Sequence, residues 1–347
     1  MTTFTGSRRL RSLRDVGTGI AAVGVKELRG RMRGRRAFVV LTVHLLLIAS
    51  FAWMVEGITE RVVATGFGGT FSASAEIGRQ MFTALLALLT LIVLVLAPAS
   101  TAGAISLERE KQTLDLLTTT PISSLAIILG KLLSALSWVF LLLLASIPVT
   151  ALVFTFGGVG PDDMIKGYLV LVGTALAYGS IGLFVSALVK RTQAATVINL
   201  VTVIALTAGT VFVFVFWVAM TGNSGVLPDA GKRDVGPIES LAQRPPEALL
   251  WLNPFVAQVD VICGTDTSFG TSCQLVNGVT NAPGGANQVG GLDQFAAGRD
   301  TYWPRSLAAM GILSIVLIVI SVQLVSPTRR WRIGRPHLRR RPASGGA

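Results

Sequence analysis

The chain has 347 residues, of which 51% are apolar and 14% charged, and a mean hydropathy of +0.65. Soluble domains carry about 25% charged residues, so this composition excludes a water-exposed globular domain, a disordered chain and a fibrous repeat, and leaves an integral membrane protein. The formal charge of +12 sits beside long apolar runs with no recognised nucleic-acid motif, which argues for anionic lipid headgroups and against nucleic acid as the partner.

Residues 1–36 form a basic arm. Ala21, Val25, Leu28 and Met32 recur at helical spacing, and Lys26, Arg29, Arg33 and Arg36 share another face. This predicts an amphipathic helix lying in the inner interface. Gly24, Gly30 and Gly34 weaken it and keep an unstructured basic arm open as the alternative. The arm is too long, and the apolar run after it too extended, for a removable signal peptide.

Six runs are long and apolar enough to span a bilayer: residues 37–55, 81–105, 132–156, 167–189, 194–220 and 306–325. Of 30 Lys and Arg, 22 fall in the arm, the second-to-third and fourth-to-fifth connections and the tail, and 8 fall on the opposite side. Both termini are therefore predicted to be cytoplasmic, with the chain multi-pass in the plasma membrane. Trp53, Trp217, Trp303 and Trp331 lie at span ends, at the depth amphipathic rings prefer. The arrangement predicts an all-α membrane fold: the arm 1–36, spans one to five over 37–220, an outer loop 221–305, the sixth span 306–325 and a basic tail 326–347.

His44 lies within the first span and Asn199 within the fifth. Each is a functional candidate, but a polar group tethered to a neighbouring helix is the more common case. Otherwise the spans lack paired ionisable residues, which argues against a proton-driven carrier. On the fourth span Ala175, Gly179, Gly182 and Ser186 line one face and permit close helix approach, within the chain or between copies.

The connection 105–134 reads ISLEREKQTLDLLTTTPISSLAIILGKLLS. Leu107, Leu114 and Leu117 share one helical face, and Glu108, Lys111 and Asp115 another. Thr118 to Pro121 then stop the helix. The expected element, 106–121, is an amphipathic elbow joined at both ends to membrane helices, able to pass a push from a soluble partner into the spans.

In the outer loop, the apolar stretch 247–262 is too short to span. Its break at Asn253-Pro254 predicts re-entrant or interfacial helices. Cys263 and Cys273 both fall in this loop, where a close pair outside the cytosol favours a disulfide over two free thiols. The pair alone supplies too few ligands for a metal site. His occurs only as His44 and His337, and neither a GxSxG elbow nor a GxxxxGK[ST] phosphate loop is present. Catalytic, cofactor and metal residues are thus expected to be absent, and any ATP-driven work to be energised by another polypeptide.

Several stretches together resemble the type 2 ATP-binding-cassette permeases, six-span half-transporters of exporters. They are Glu108-Arg109-Glu110, Thr113-Leu114-Asp115-Leu116-Leu117, Thr120-Pro121-Ile122-Ser123 and Leu129-Gly130-Lys131, with residues 182–196 and Leu252-Asn253-Pro254-Phe255. Two features depart from the pattern: Gln112 stands where the family often has Gly, and the last outer loop is long and carries cysteines. The resemblance implies a dimer of this chain, or of this chain and a relative, bound to two ATPase subunits that hold ATP and magnesium. It implies a coupling helix at 106–121, with Leu107, Glu108, Glu110, Leu114, Asp115, Leu117 and Pro121 as contacts to the ATPase. Glu108 and Glu110 would pair with basic ATPase residues and Leu114 would be a buried anchor. It also implies an outer gate at Asn253, Pro254 and Phe255. The rival readings are a channel or secondary transporter, and a membrane scaffold without transport.

Overall fold

A computed structural model describes residues 35–65, 70–112, 124–220, 247–263 and 302–325. Every regular element among them is helical: α1 (Arg35–Thr65), α2 (Thr70–Ala102), α3 (Ser106–Glu110), α4 (Ser124–Ala151), α5 (Pro161–Leu188), α6 (Thr192–Ile204), α7 (Thr210–Met220), α8 (Pro254–Cys263) and α9 (Tyr302–Val325). Short 3-10 turns follow α4 at Leu152–Thr155 and precede α8 at Glu247–Leu250. A π-helical turn, Ala205–Gly209, joins α6 to α7.

Six helical stretches are long and apolar enough to cross a membrane, and they coincide with the six runs expected from the sequence. The helices outrun the apolar segments: α1 continues ten residues past Val55 to Thr65, and α2 begins at Thr70 rather than Met81. Apolarity marks the part that needs lipid, while the backbone hydrogen-bond ladder continues until a breaker stops it. Pro98 in α2 and Pro148 in α4 lie inside continuing helices. The predicted arm helix lies outside the described residues.

The fourth span, α5, is the centre of the bundle: most of its apolar stretch is buried, whereas most of the first and fifth spans is not. It packs on α2 and α9 and also meets α4, α6 and α8. Fully buried Leu85, Leu86 and Leu89 of α2, Leu132 and Leu136 of α4, and Leu171, Ala175 and Leu183 of α5 form the core. In lipid such packing is held by close van der Waals contact rather than by exclusion of water.

The small-residue face of α5 supplies that closeness within the chain. A Cβ on Gly179 would press into the Leu136 side chain, and one on Gly182 would overlap Thr101 Oγ1 and the Pro98 backbone. Ala175 and Ser186 on the same face are fully buried. Of the two uses this stripe allowed, the structure displays the intramolecular one.

Several polar side chains in the spans reach partners on neighbouring helices. His44 Nε2 lies 3.3 Å from the Leu142 carbonyl of α4, so its ring tethers the first span to the third. Tyr168 of α5 shares its hydroxyl with Ser146 Oγ at 2.8 Å and Thr150 Oγ1 at 2.9 Å on α4. Asn199 reaches only weakly, its Nδ2 standing 3.5 Å from the Gly182 carbonyl.

Candidate functional site: the elbow and the re-entrant segment

The elbow opens where α2 ends. After a turn at Gly103–Ile105 the chain makes one helical turn, α3, carrying Leu107, Glu108 and Glu110. It then stops. The Lys111 amide donates to the Leu107 carbonyl at 3.0 Å and the Gln112 amide to the Arg109 carbonyl at 3.1 Å, and Gln112 adopts φ 55. That left-handed conformation disfavours a side chain with a Cβ, and glycine meets it without cost. An uninterrupted helix from Leu107 to Leu117 is therefore ruled out: it is broken at Gln112. Leu114, Asp115, Leu117 and Pro121 lie outside the described residues.

Polar bonds hold α3 to three other helices. Lys131, near the start of α4 and almost wholly buried, places Nζ 2.7 Å from Glu108 Oε1 and donates to the Ala104 carbonyl at 3.0 Å. Ser186, near the end of α5, accepts the Ile105 and Ser106 amides, both at 3.0 Å. Glu110 accepts the Thr192 amide on Oε1 at 2.8 Å and the Thr192 hydroxyl on Oε2 at 3.0 Å. Thr192 is the first residue of α6, so Glu110 acts as a cap supplied from another element. It satisfies an otherwise unpaired amide and sets a negative charge against the positive end of the helix.

Both carboxylates expected to face a partner thus have partners within the chain. Leu107 differs: with 42% of its surface exposed, it is the apolar side chain that α3 turns outward.

The second cluster lies at the opposite end of the bundle. Asn253 and Pro254 do not interrupt one helix but begin another. Asn253 Oδ1 accepts the Phe255 amide at 3.1 Å, and Pro254 occupies the first helical position, where its missing N–H costs nothing. The remaining amide hydrogens of Asn253 go to the fifth span: Nδ2 donates to the Thr207 carbonyl at 2.8 Å and to Thr210 Oγ1 at 3.1 Å. Thr207 belongs to the π-helical turn, where wider winding changes how carbonyls are paired along the helix.

Other bonds hold the same segment to α5 and α9. Tyr178 donates to the Leu252 carbonyl at 3.1 Å, Ser306 to the Trp251 carbonyl at 2.6 Å, and Gln258 Nε2 to the Gly167 carbonyl at 3.1 Å. The Trp303 amide donates to Asp260 Oδ2 at 3.0 Å. Phe255 packs against an apolar cluster that includes Tyr178, Val203 and Met310 of the fourth, fifth and sixth spans. Cys263 is the last residue of α8; its side chain and the whole of Cys273 lie outside the described residues, so their pairing does too.

The six-span chain matches a known family. Residues 21–324 fit the family described as ABC-2 family transporter protein. The chain belongs to that family. It is a multi-pass membrane protein of a permease family of the ABC type. A comparison with curated proteins finds no match.

Sequence reasoning singled out Glu108, Glu110 and Asn253 but did not pair them with Lys131, Thr192, Thr207 and Thr210, nor Ser186 with the amides of Ile105 and Ser106. Lys131 carried a signal: a cation within an apolar run needs a buried acceptor. The serine and threonines carried none, since hydroxyls in a span commonly bond their own helix.

Proposed function

We propose that this chain is the permease subunit of an ATP-driven exporter in the plasma membrane. It would work as a dimer, with a second copy or a relative, on two ATPase subunits that bind ATP and magnesium. Both termini and the elbow would be cytoplasmic, and the α8 segment would sit at the outer face. The positive-inside charge distribution supports that orientation.

The observation that carries the reading is the construction of the elbow. α3 presents Leu107 outward, while its carboxylates bind the third and fifth spans. A partner pressing on such an element moves several spans at once. The grip on the ATPase then falls mainly to apolar contacts, Leu107 together with Leu114 and Leu117 of the same connection. Asp115 and Pro121 complete that surface. Surface ion pairs give about 1 kcal/mol or less, whereas desolvated interface anchors reach about 2 kcal/mol or more. At the other end Asn253, Pro254 and Phe255 form the gate that parts for the substrate, and a Cys263–Cys273 disulfide closes the segment behind it.

The test is co-purification with an ABC ATPase from the same organism, followed by ATP hydrolysis in the reconstituted complex. Leu107→Asp and Leu114→Asp should each release the ATPase or uncouple its hydrolysis, with the permease still inserted. Glu108→Gln should do less. An ATPase that stays bound and coupled in both aspartate variants would favour a membrane scaffold over a transporter. Mass spectrometry of a non-reduced digest checks the disulfide: both cysteines fully alkylated in native membranes would show two free thiols.

A further inference from the structure

Two of the polar contacts described above fall on the same span, at different heights. Glu110 of the elbow holds the first residue of α6 through Thr192. Asn253 of the re-entrant segment holds the π-helical turn through Thr207 and Thr210. The fifteen residues between Thr192 and Thr207 correspond to about 22 Å along a helix axis, most of a bilayer core.

The span between these contacts is lightly held. Little of its apolar stretch is buried within the chain, against most of that of the fourth span. Between the two ends its polar tie to α5 is the long 3.5 Å contact of Asn199 Nδ2, and Asn199 Oδ1 is buried without a partner. The fourth span, packed on most other helices, is a frame. The fifth is a rod resting against that frame, with a good hydrogen-bonded joint toward each end.

We propose that the fifth span is the strut by which movement of the elbow reaches the re-entrant segment, with Glu110 and Asn253 as the positioning residues at its two joints. The inference rests on the permease reading above. Pushing the elbow draws Thr192 with it, because Glu110 binds both its amide and its hydroxyl. The rod then carries the displacement to Thr207, where Asn253 converts it into movement of α8. The π-helical turn suits the outer joint, since such turns are sites where a helix changes register.

The experiment uses the full chain in complex with its ATPase in lipid nanodiscs. Cys263→Ser and Cys273→Ser remove the native thiols, and Ala248→Cys, an exposed position before α8, carries an environment-sensitive fluorophore. The readout is the fluorescence change on adding magnesium ATP and vanadate, with ATPase binding and basal ATP hydrolysis measured in parallel. Glu110→Ala and Asn253→Asp, which cannot donate to the Thr207 carbonyl, should each cut the amplitude at least about fivefold while the ATPase stays bound and hydrolyses ATP. Glu110→Gln keeps an acceptor for the Thr192 amide and should restore most of the signal. If either severe substitution lowers insertion, Thr192→Val and Thr210→Val remove one hydroxyl each and should still cost about twofold.

A full response in all these variants overturns the strut while leaving the permease reading standing. Loss of the ATPase itself on Glu110→Ala assigns that carboxylate to docking and likewise overturns it. A wild-type complex whose outer probe ignores ATP overturns the permease reading and the strut together.

Discussion

Lys131 and Glu108 form an ion pair of 2.7 Å between α4 and the elbow, with the lysine side chain 5% exposed and the glutamate 25%. A third group, the Ala104 carbonyl, takes another ammonium hydrogen. The pair therefore closes the elbow onto the third span.

Breaking this pair should be costly. Removing one partner of a fully buried pair costs about 3–5 kcal/mol, and the partial exposure of Glu108 lowers that to roughly 2 kcal/mol for Lys131→Met. Thermal unfolding of the detergent-solubilised protein should show the loss. The exchange Glu108→Lys with Lys131→Glu should recover part of it, and an exchanged protein no more stable than Lys131→Met would show that packing, not charge, holds the joint.

The turn at Gln112 predicts opposite effects for two substitutions. Gln112→Gly relieves the left-handed conformation and should stabilise by about 0.5 kcal/mol, while Gln112→Val adds β-branching there and should cost about 1–2 kcal/mol. Limited proteolysis of the elbow, which reports local opening, should rank the variants in that order. Equal cleavage in all three would mean that the turn has another conformation in the membrane.

Gly182 and Gly311 should respond differently to the same methyl group. A Cβ at Gly182 meets Thr101 and the Pro98 backbone, whereas nothing lies within 4 Å of one at Gly311. Gly182→Ala should cost about 1–3 kcal/mol and Gly311→Ala should leave stability nearly unchanged. The melting temperatures of the two variants, compared at equal oligomeric state, decide it. A change of oligomeric state on Gly182→Ala alone would move the small-residue face to a contact between copies.

The orientation is checked by thiol labelling of intact cells, in a variant lacking both native cysteines. A cysteine at Asn287 should react with a membrane-impermeant maleimide and one at Ser344 should not. The reverse pattern would invert every assignment of ends to sides.

The number of spans was legible in the sequence because apolar length is a local property that lipid imposes on each helix separately. Asn253-Pro254 marks a break in an apolar stretch when the sequence is read for breakers alone; in the structure the pair begins α8, with Pro254 as its first residue. The amphipathic pattern failed at one point. Periodicity over Leu107, Leu114 and Leu117 shows which residues would share a face if a helix formed, but carries no information on a single backbone torsion, and Gln112 breaks that helix.

Only tertiary structure decided which groups meet. Glu108 and Glu110 look alike in sequence, two acids one residue apart, yet one binds Lys131 and the other caps Thr192. The difference arises because residues two apart on a helical turn point in widely different directions, and the bundle brings α4 to one side and α6 to the other. In the same way Thr207 and Thr210 are ordinary span hydroxyls until a π-helical turn and Asn253 come together. Lipid selects helices one at a time from composition, but hydrogen bonds between them depend on how those helices are placed against one another.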